Sequence, residues 1–197
     1  HPDKVLGLLL SSIFLGRKKD VAWSFTQSGG IDKIFTDLWE RRTQFLEENG
    51  ATPSDAAKVL LNKIETGSPE AVQKIVAGVM NWEGNLMSSQ SDITFTIPED
   101  VKEDNINEVK VFLHYESNDS FLSENQLLEN IEKVKNIPTI IVHGRYDLLC
   151  TLDQMWELTK ALPKSEYLIL PSSNHRLTAD GEVARKYAYK YFLHKNS

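Results

Sequence analysis

A chain of 197 residues, 41% of them hydrophobic, can bury one sizeable core and excludes wholesale disorder. A net charge of −6 and a pI near 5.4 exclude the basic surface that a phosphate backbone needs, so no nucleic-acid partner is expected, and they favour a cationic substrate over an anionic one. A single cysteine, Cys150, allows no internal disulfide, and no apolar run approaches the ~20 residues of a membrane helix; the reading is a cytoplasmic protein without a membrane partner.

The sequence opens His1-Pro2, with no initiator methionine and no signal-peptide pattern, which predicts a start inside a longer parent. Val5–Phe14 is apolar on both faces and reads as a buried strand, and Gly16-Arg17-Lys18-Lys19 after it as a solvated loop. Ile31, Ile34, Phe35, Leu38, Trp39, Phe45 and Leu46 recur at helical spacing, and Gly50 ends that helix. Thr52 and Pro53 read as N-cap and first residue of the next helix, whose face is Ala57, Leu60, Leu61 and Ile64. Gly67-Ser68-Pro69 repeats the stop and start, and Val72, Ile75, Val76, Val79 and Met80 lead into Trp82-Glu83-Gly84. Ser88–Asp104 is polar and acidic and reads as a loop, followed by helices over Asn105–Tyr115 and Glu124–Val134.

The pattern then changes. Thr139–Val142, after Pro138 and bounded by Gly144, and Tyr167–Leu170, closed by Pro171, are short β-branched or apolar runs, hence strands. Leu152, Met155, Trp156 and Thr159 share a helix face between them, and Ala184, Tyr187, Ala188, Tyr191 and Phe192 give a last amphipathic helix. Strand, helix, strand, helix marks a parallel α/β sheet. A helical block inserted into such a sheet reads as a lid over a ligand site beyond the carboxyl ends of the strands. The expected organisation is a core strand at 1–16, a helical cap at 17–122 and a C-terminal core at 123–197.

Asp147 follows the first of these late strands and His175 the second, one strand–helix–strand unit later. Parallel neighbours bring both to one rim, where a carboxylate can fix an imidazole's tautomer and leave its other nitrogen to take a proton. By spacing alone the pair reads equally as a catalytic acid and base, or as a helix cap and an ordinary loop histidine. No metal cluster, phosphate loop or cofactor motif is evident; His143 and His175 alone are too sparse for a zinc site.

His143-Gly144-Arg145-Tyr146-Asp147, then Cys150, then His175 resembles the C-terminal core of the prolyl aminopeptidases (proline iminopeptidases). His1–Val5, Ile13–Lys19, Asp37-Leu38-Trp39-Glu40, Trp82-Glu83-Gly84, Leu127–Ile131 and Ile137-Pro138 are similar to family segments in the same order. The resemblance implies the C-terminal part of an α/β-hydrolase parallel sheet with an inserted helical cap. It implies a serine aminopeptidase acting on peptides with an N-terminal proline and needing no cofactor or metal. Asp147 would be the triad acid and His175 the base. Glu83 would be the lid glutamate that binds the imino terminus, since a protonated proline nitrogen needs an anion there. Cys150 would be a target for thiol reagents or an inert buried cysteine.

The chain departs from the family in what it lacks. No Gly-x-Ser-x-Gly elbow is present; the nearest match, Thr26-Gln27-Ser28-Gly29-Gly30, lies inside the cap. The family's second lid glutamate precedes a His-Tyr pair, but His114-Tyr115 follows Phe112-Leu113, and the acid nearby is Glu116, taken as the second anchor. Without nucleophile and oxyanion hole the chain alone should not hydrolyse amides. Its partners would be the missing N-terminal part of the hydrolase or another copy of itself. The alternatives are another α/β-hydrolase, such as an esterase or epoxide hydrolase, or a non-catalytic truncated remnant.

Overall fold

The computed structural model describes residues 1–88, 101–177 and 179–195, so most of the loop expected at Ser88–Asp104 lies outside them. The chain is α/β and divides into two compact units. One comprises His1–Leu15, Met87–Ser89 and Glu124–Ser197; the other comprises Gly16–Leu86 and Gln90–Ser123.

The first unit holds a parallel sheet of three strands, β1 (Leu8–Ser11), β2 (Thr139–Gly144) and β3 (Glu166–Leu170), in the order β1-β2-β3. Leu8 pairs with Thr139 and Ser11 with Val142, while Ile140 pairs with Glu166 and Gly144 with Leu170. β2 is buried throughout because it has a strand on each side. The strand expected over Val5–Phe14 is shorter and partly exposed, and Pro2–Lys4 forms a 3-10 turn before it. Among the described residues β1 has a neighbour on one side only, so its hydrophobic run is not enclosed.

Helix α8 (Leu152–Ala161) puts Met155, Leu158 and the following Leu162 against Ile13, Leu15 and Ile141 on one side of the sheet. Helix α9 (Ala179–Lys195) puts Ala184 and Ala188 against Ile140, Val142 and Leu170 on the other. Two residues assigned to these inner faces are instead exposed, Trp156 and Tyr187, because the small Ala184 and Ala188 and the slender Met155 make the close contacts. The helix expected over Glu124–Val134 is only a turn, α7 (Gln126–Glu129), followed by a 3-10 turn at Ile131–Lys133. Asn130 interrupts it by donating its side-chain amide to the Gln126 carbonyl.

The second unit is helical. Helix α1 (Lys18–Phe25) occupies the stretch expected as a basic loop. The reason is local: Asp20 accepts the Arg17 backbone N–H at 3.0 Å and its Nε at 2.8 Å, so both charges are buried as a pair at the helix start. The long helix expected from Ile31 splits into α2 (Ile31–Ile34) and α3 (Thr36–Glu48), because Phe35 leaves the helical region at φ −118° and ψ 57°. Gly50 follows with φ +66°, where a Cβ would be strained, and stops α3 as expected. The N-cap position of helix α4 (Ala56–Thr66) is Asp55, not Thr52; the Asp55 carboxylate makes no capping bond to the helix and instead accepts the Thr52 N–H and hydroxyl. Helices α5 (Pro69–Ser88) and α6 (Glu103–Glu116) complete the unit. Leu46, Leu60, Ile64, Ile75, Val76, Val109 and Leu113 form its core.

Candidate functional site

Gly144 ends β2 where the turn after β3 passes directly over it. A Cβ there would lie 2.4 Å from the Asn174 carbonyl oxygen and 2.6 Å from that of Ser173, so only glycine fits. The two turns are joined main chain to main chain: Arg145 N–H donates to the Leu170 carbonyl and Tyr146 N–H to that of Ser173, both at 2.9 Å. Ser12, at the tip of β1 with φ +49°, donates its hydroxyl to the His175 carbonyl at 3.0 Å.

This framework brings Asp147 and His175 together. His175 Nδ1 lies 3.1 Å from each Asp147 carboxylate oxygen. Asp147 Oδ1 also accepts the N–H groups of Leu149 at 3.1 Å and Cys150 at 2.8 Å, so the carboxylate is fixed before the imidazole meets it. The Asp147 side chain is fully buried, whereas that of His175 is 21% exposed. With Nδ1 turned to the acid, Nε2 is the nitrogen left to exchange a proton with a reacting group. Asp147 does not cap α8, whose N-cap position is Thr151; its carboxylate holds the turn leading into that helix.

His143 is a member of this site that the sequence reading took only as part of a motif and, with His175, as too sparse for a zinc site. Its ring is fully buried on β2. Nδ1 accepts the Ile13 N–H at 3.3 Å, which puts the ring proton on Nε2; that nitrogen donates to the Cys150 carbonyl at 2.9 Å and lies 3.7 Å from Asp147 Oδ2. Burial lowers its pKa, with Asp147 opposing, so the ring stays neutral. A histidine in the run Ile140-Ile141-Val142 was the available signal. Asp147, Cys150 and His175 each offer a metal-ligating atom, all within 4.8 Å of one another; weighing the histidines alone missed that set.

The two predicted anchors share a pocket in the helical unit. Glu83 of α5 and Glu116 at the end of α6 line this pocket with Phe25, Arg42, Trp82 and Phe112. Arg42, which the sequence gave no reason to single out, is buried with its guanidinium 5.1 Å from the Trp39 and Trp82 ring centres and 5.8 Å from that of Phe25. Its Nη1, Trp82 Nε1 and Asn81 Nδ2 are buried without a hydrogen-bond partner among the described residues. Burial pushes the Glu83 carboxyl up to about 8, helped by the charges of Glu116 and Glu108. Burial likewise pushes Glu116 up to about 7 against the pull of Arg42, and lowers Arg42 to about 10. Two reluctant carboxylates beside aromatic walls suit a cationic, partly apolar ligand.

No family model matches the chain. A probable proline iminopeptidase of Leptolyngbya boryana is 31% identical over 92% of the chain and 56% of its own length. The proline iminopeptidase of Arabidopsis thaliana is 32% identical over 92% of the chain and 47% of its own length. That of Neisseria gonorrhoeae is 31% identical over 88% of the chain and 54% of its own length. The chain thus spans about half the length of the curated relatives it matches.

Proposed function

The chain is homologous to proline iminopeptidases along about half their length, and on that footing we propose that it supplies the acid and base of a serine aminopeptidase releasing N-terminal proline from peptides. Asp147 holds His175 in the Nδ1–H tautomer. Nε2 takes the proton of a serine hydroxyl as it attacks the scissile carbonyl, then delivers it to the leaving amine of the next residue. Glu83 ionises against the protonated imino nitrogen of the substrate, and Glu116 in the same pocket adds a second carboxylate. Phe25, Trp82 and Phe112 offer the apolar walls that a pyrrolidine ring prefers. The helices act as the cap and the sheet as the core of the hydrolase.

The Asp147–His175 couple, at the carboxyl ends of adjacent parallel strands, carries the reading. A Gly-x-Ser-x-Gly elbow is not among these 197 residues, so catalysis needs a polypeptide that brings the serine and the oxyanion-hole donors. The test uses a chromogenic proline amide with the chain alone and with a protein joining it to the nucleophile-bearing half of a relative. No turnover is expected alone. Turnover is expected in the joined protein, with a loss of at least about 10³-fold for His175→Ala. His175-dependent hydrolysis by the chain alone, or a joined protein indifferent to His175→Ala, overturns the proposal. A simple ester hydrolysed in preference to the proline amide would favour a different hydrolase.

A further inference from the structure

We propose that Asp147, Cys150 and His175 form a binding site for a thiophilic divalent cation, zinc above all. Three donor types converge there, a carboxylate oxygen, a thiol sulfur and an imidazole nitrogen, all within 4.8 Å of one another. Zinc bonds of about 2.0–2.3 Å put tetrahedral ligand atoms about 3.3–3.7 Å apart, so the set must close by roughly 1 Å. Thiolate with imidazole selects zinc over magnesium or calcium, which take oxygen ligands.

The surroundings suit a dication. Asp147 Oδ1 is committed to the Leu149 and Cys150 N–H groups, which aims the carboxylate and leaves Oδ2 for the metal. Two anionic ligands cancel the charge of the ion, so no net charge is left in a place where Asp147 and Cys150 are 3% and 6% exposed. His143 supports the ligands from behind, bonding the Cys150 carbonyl at 2.9 Å and lying 3.7 Å from Asp147 Oδ2. His175 is the exposed ligand, its side chain 21% accessible beside a fully buried Asp147, so solvent and an incoming ion reach the set from its side. On binding, the thiol proton leaves to solvent and the imidazole proton moves from Nδ1 to Nε2; nothing is oxidised or reduced.

Occupancy therefore takes Nδ1 away from Asp147 and puts a proton on Nε2, the nitrogen that must be bare to act as a base. Zinc is then a reversible off-switch for the acid–base couple. This consequence rests on the aminopeptidase reading; the binding itself does not.

The test titrates cobalt(II), then zinc, into the reduced chain without any substrate. A thiolate-to-cobalt band in the near ultraviolet should saturate at one equivalent per chain and vanish when zinc is added. Cys150→Ser should abolish the band, and Cys150→Ser and His175→Ala should each weaken zinc binding by about 10-fold or more. The exposed His114→Ala should change neither, with far-ultraviolet circular dichroism reporting folding throughout. A folded wild-type chain without the thiolate band overturns the proposal, whether or not the variants fold. Zinc binding unchanged in a folded Cys150→Ser chain overturns it too. Failure of the aminopeptidase assay leaves these readings untouched, so the two ideas fall separately.

Discussion

His143 has both ring nitrogens committed to main-chain groups, one receiving from Ile13 and one giving to Cys150. Truncating it leaves a buried donor and a buried acceptor unpaired and opens a hole on β2. His143→Ala should therefore cost about 2–4 kcal/mol in urea denaturation, while His175→Ala, on a partly exposed ring, should cost under about 1 kcal/mol. Glu83 gives a pH prediction. Its folded carboxyl titrates near 8 against an ordinary value of 4.5, so the folded chain retains a proton that the unfolded chain releases. Stability must then fall as pH rises from about 4.5 to about 8 and level off above, by on the order of 1–3 kcal/mol after solvent screening. Glu83→Gln should reduce the slope measured by denaturation across the range, and Glu116, raised to about 7, should supply what remains below that pH. Asp147 and His175 were legible from spacing, because a parallel crossover fixes where strand ends fall. Arg42 and Arg17 were not, since a helix pattern does not distinguish an arginine stacked on aromatic rings or paired with Asp20 from one in water.

At the scale of elements, the site depends on how closely two turns can pass. Gly144→Ala would press a methyl into the Ser173 and Asn174 carbonyls, and one turn would have to yield. We expect a loss of about 1–3 kcal/mol, and a His175 side-chain NMR signal that no longer reports contact with Asp147. Strands β2 and β3 could be read from sequence because short β-branched or apolar runs closed by Gly or Pro have few other uses. The breaks at Phe35 and Asn130 could not: each depends on one backbone angle or one amide bond inside an otherwise helical run. The start of α4 after Asp55 instead of after Thr52 has the same origin, one carboxylate that holds the preceding turn through Thr52.

For the whole molecule, the exposed side of β1 bears on behaviour in solution, as does β3, which also pairs only with β2 among the described residues. Among the described residues β1 pairs only with β2, and Leu6 and Phe14 beside it are 62% and 41% exposed. The chain should self-associate as concentration rises, by sedimentation, and Leu9→Lys on β1 should shift it toward monomer without altering circular dichroism. The main-chain bonds between the turns have a different consequence. Because Arg145 and Tyr146 are stitched to Leu170 and Ser173 through peptide groups, the acid and the base are not two independently mobile arms. Their meeting is a by-product of sheet closure, so deuterium uptake at the Tyr146 amide should be as slow as in the centre of β2, and the couple should be the last part of the sheet unit to come apart.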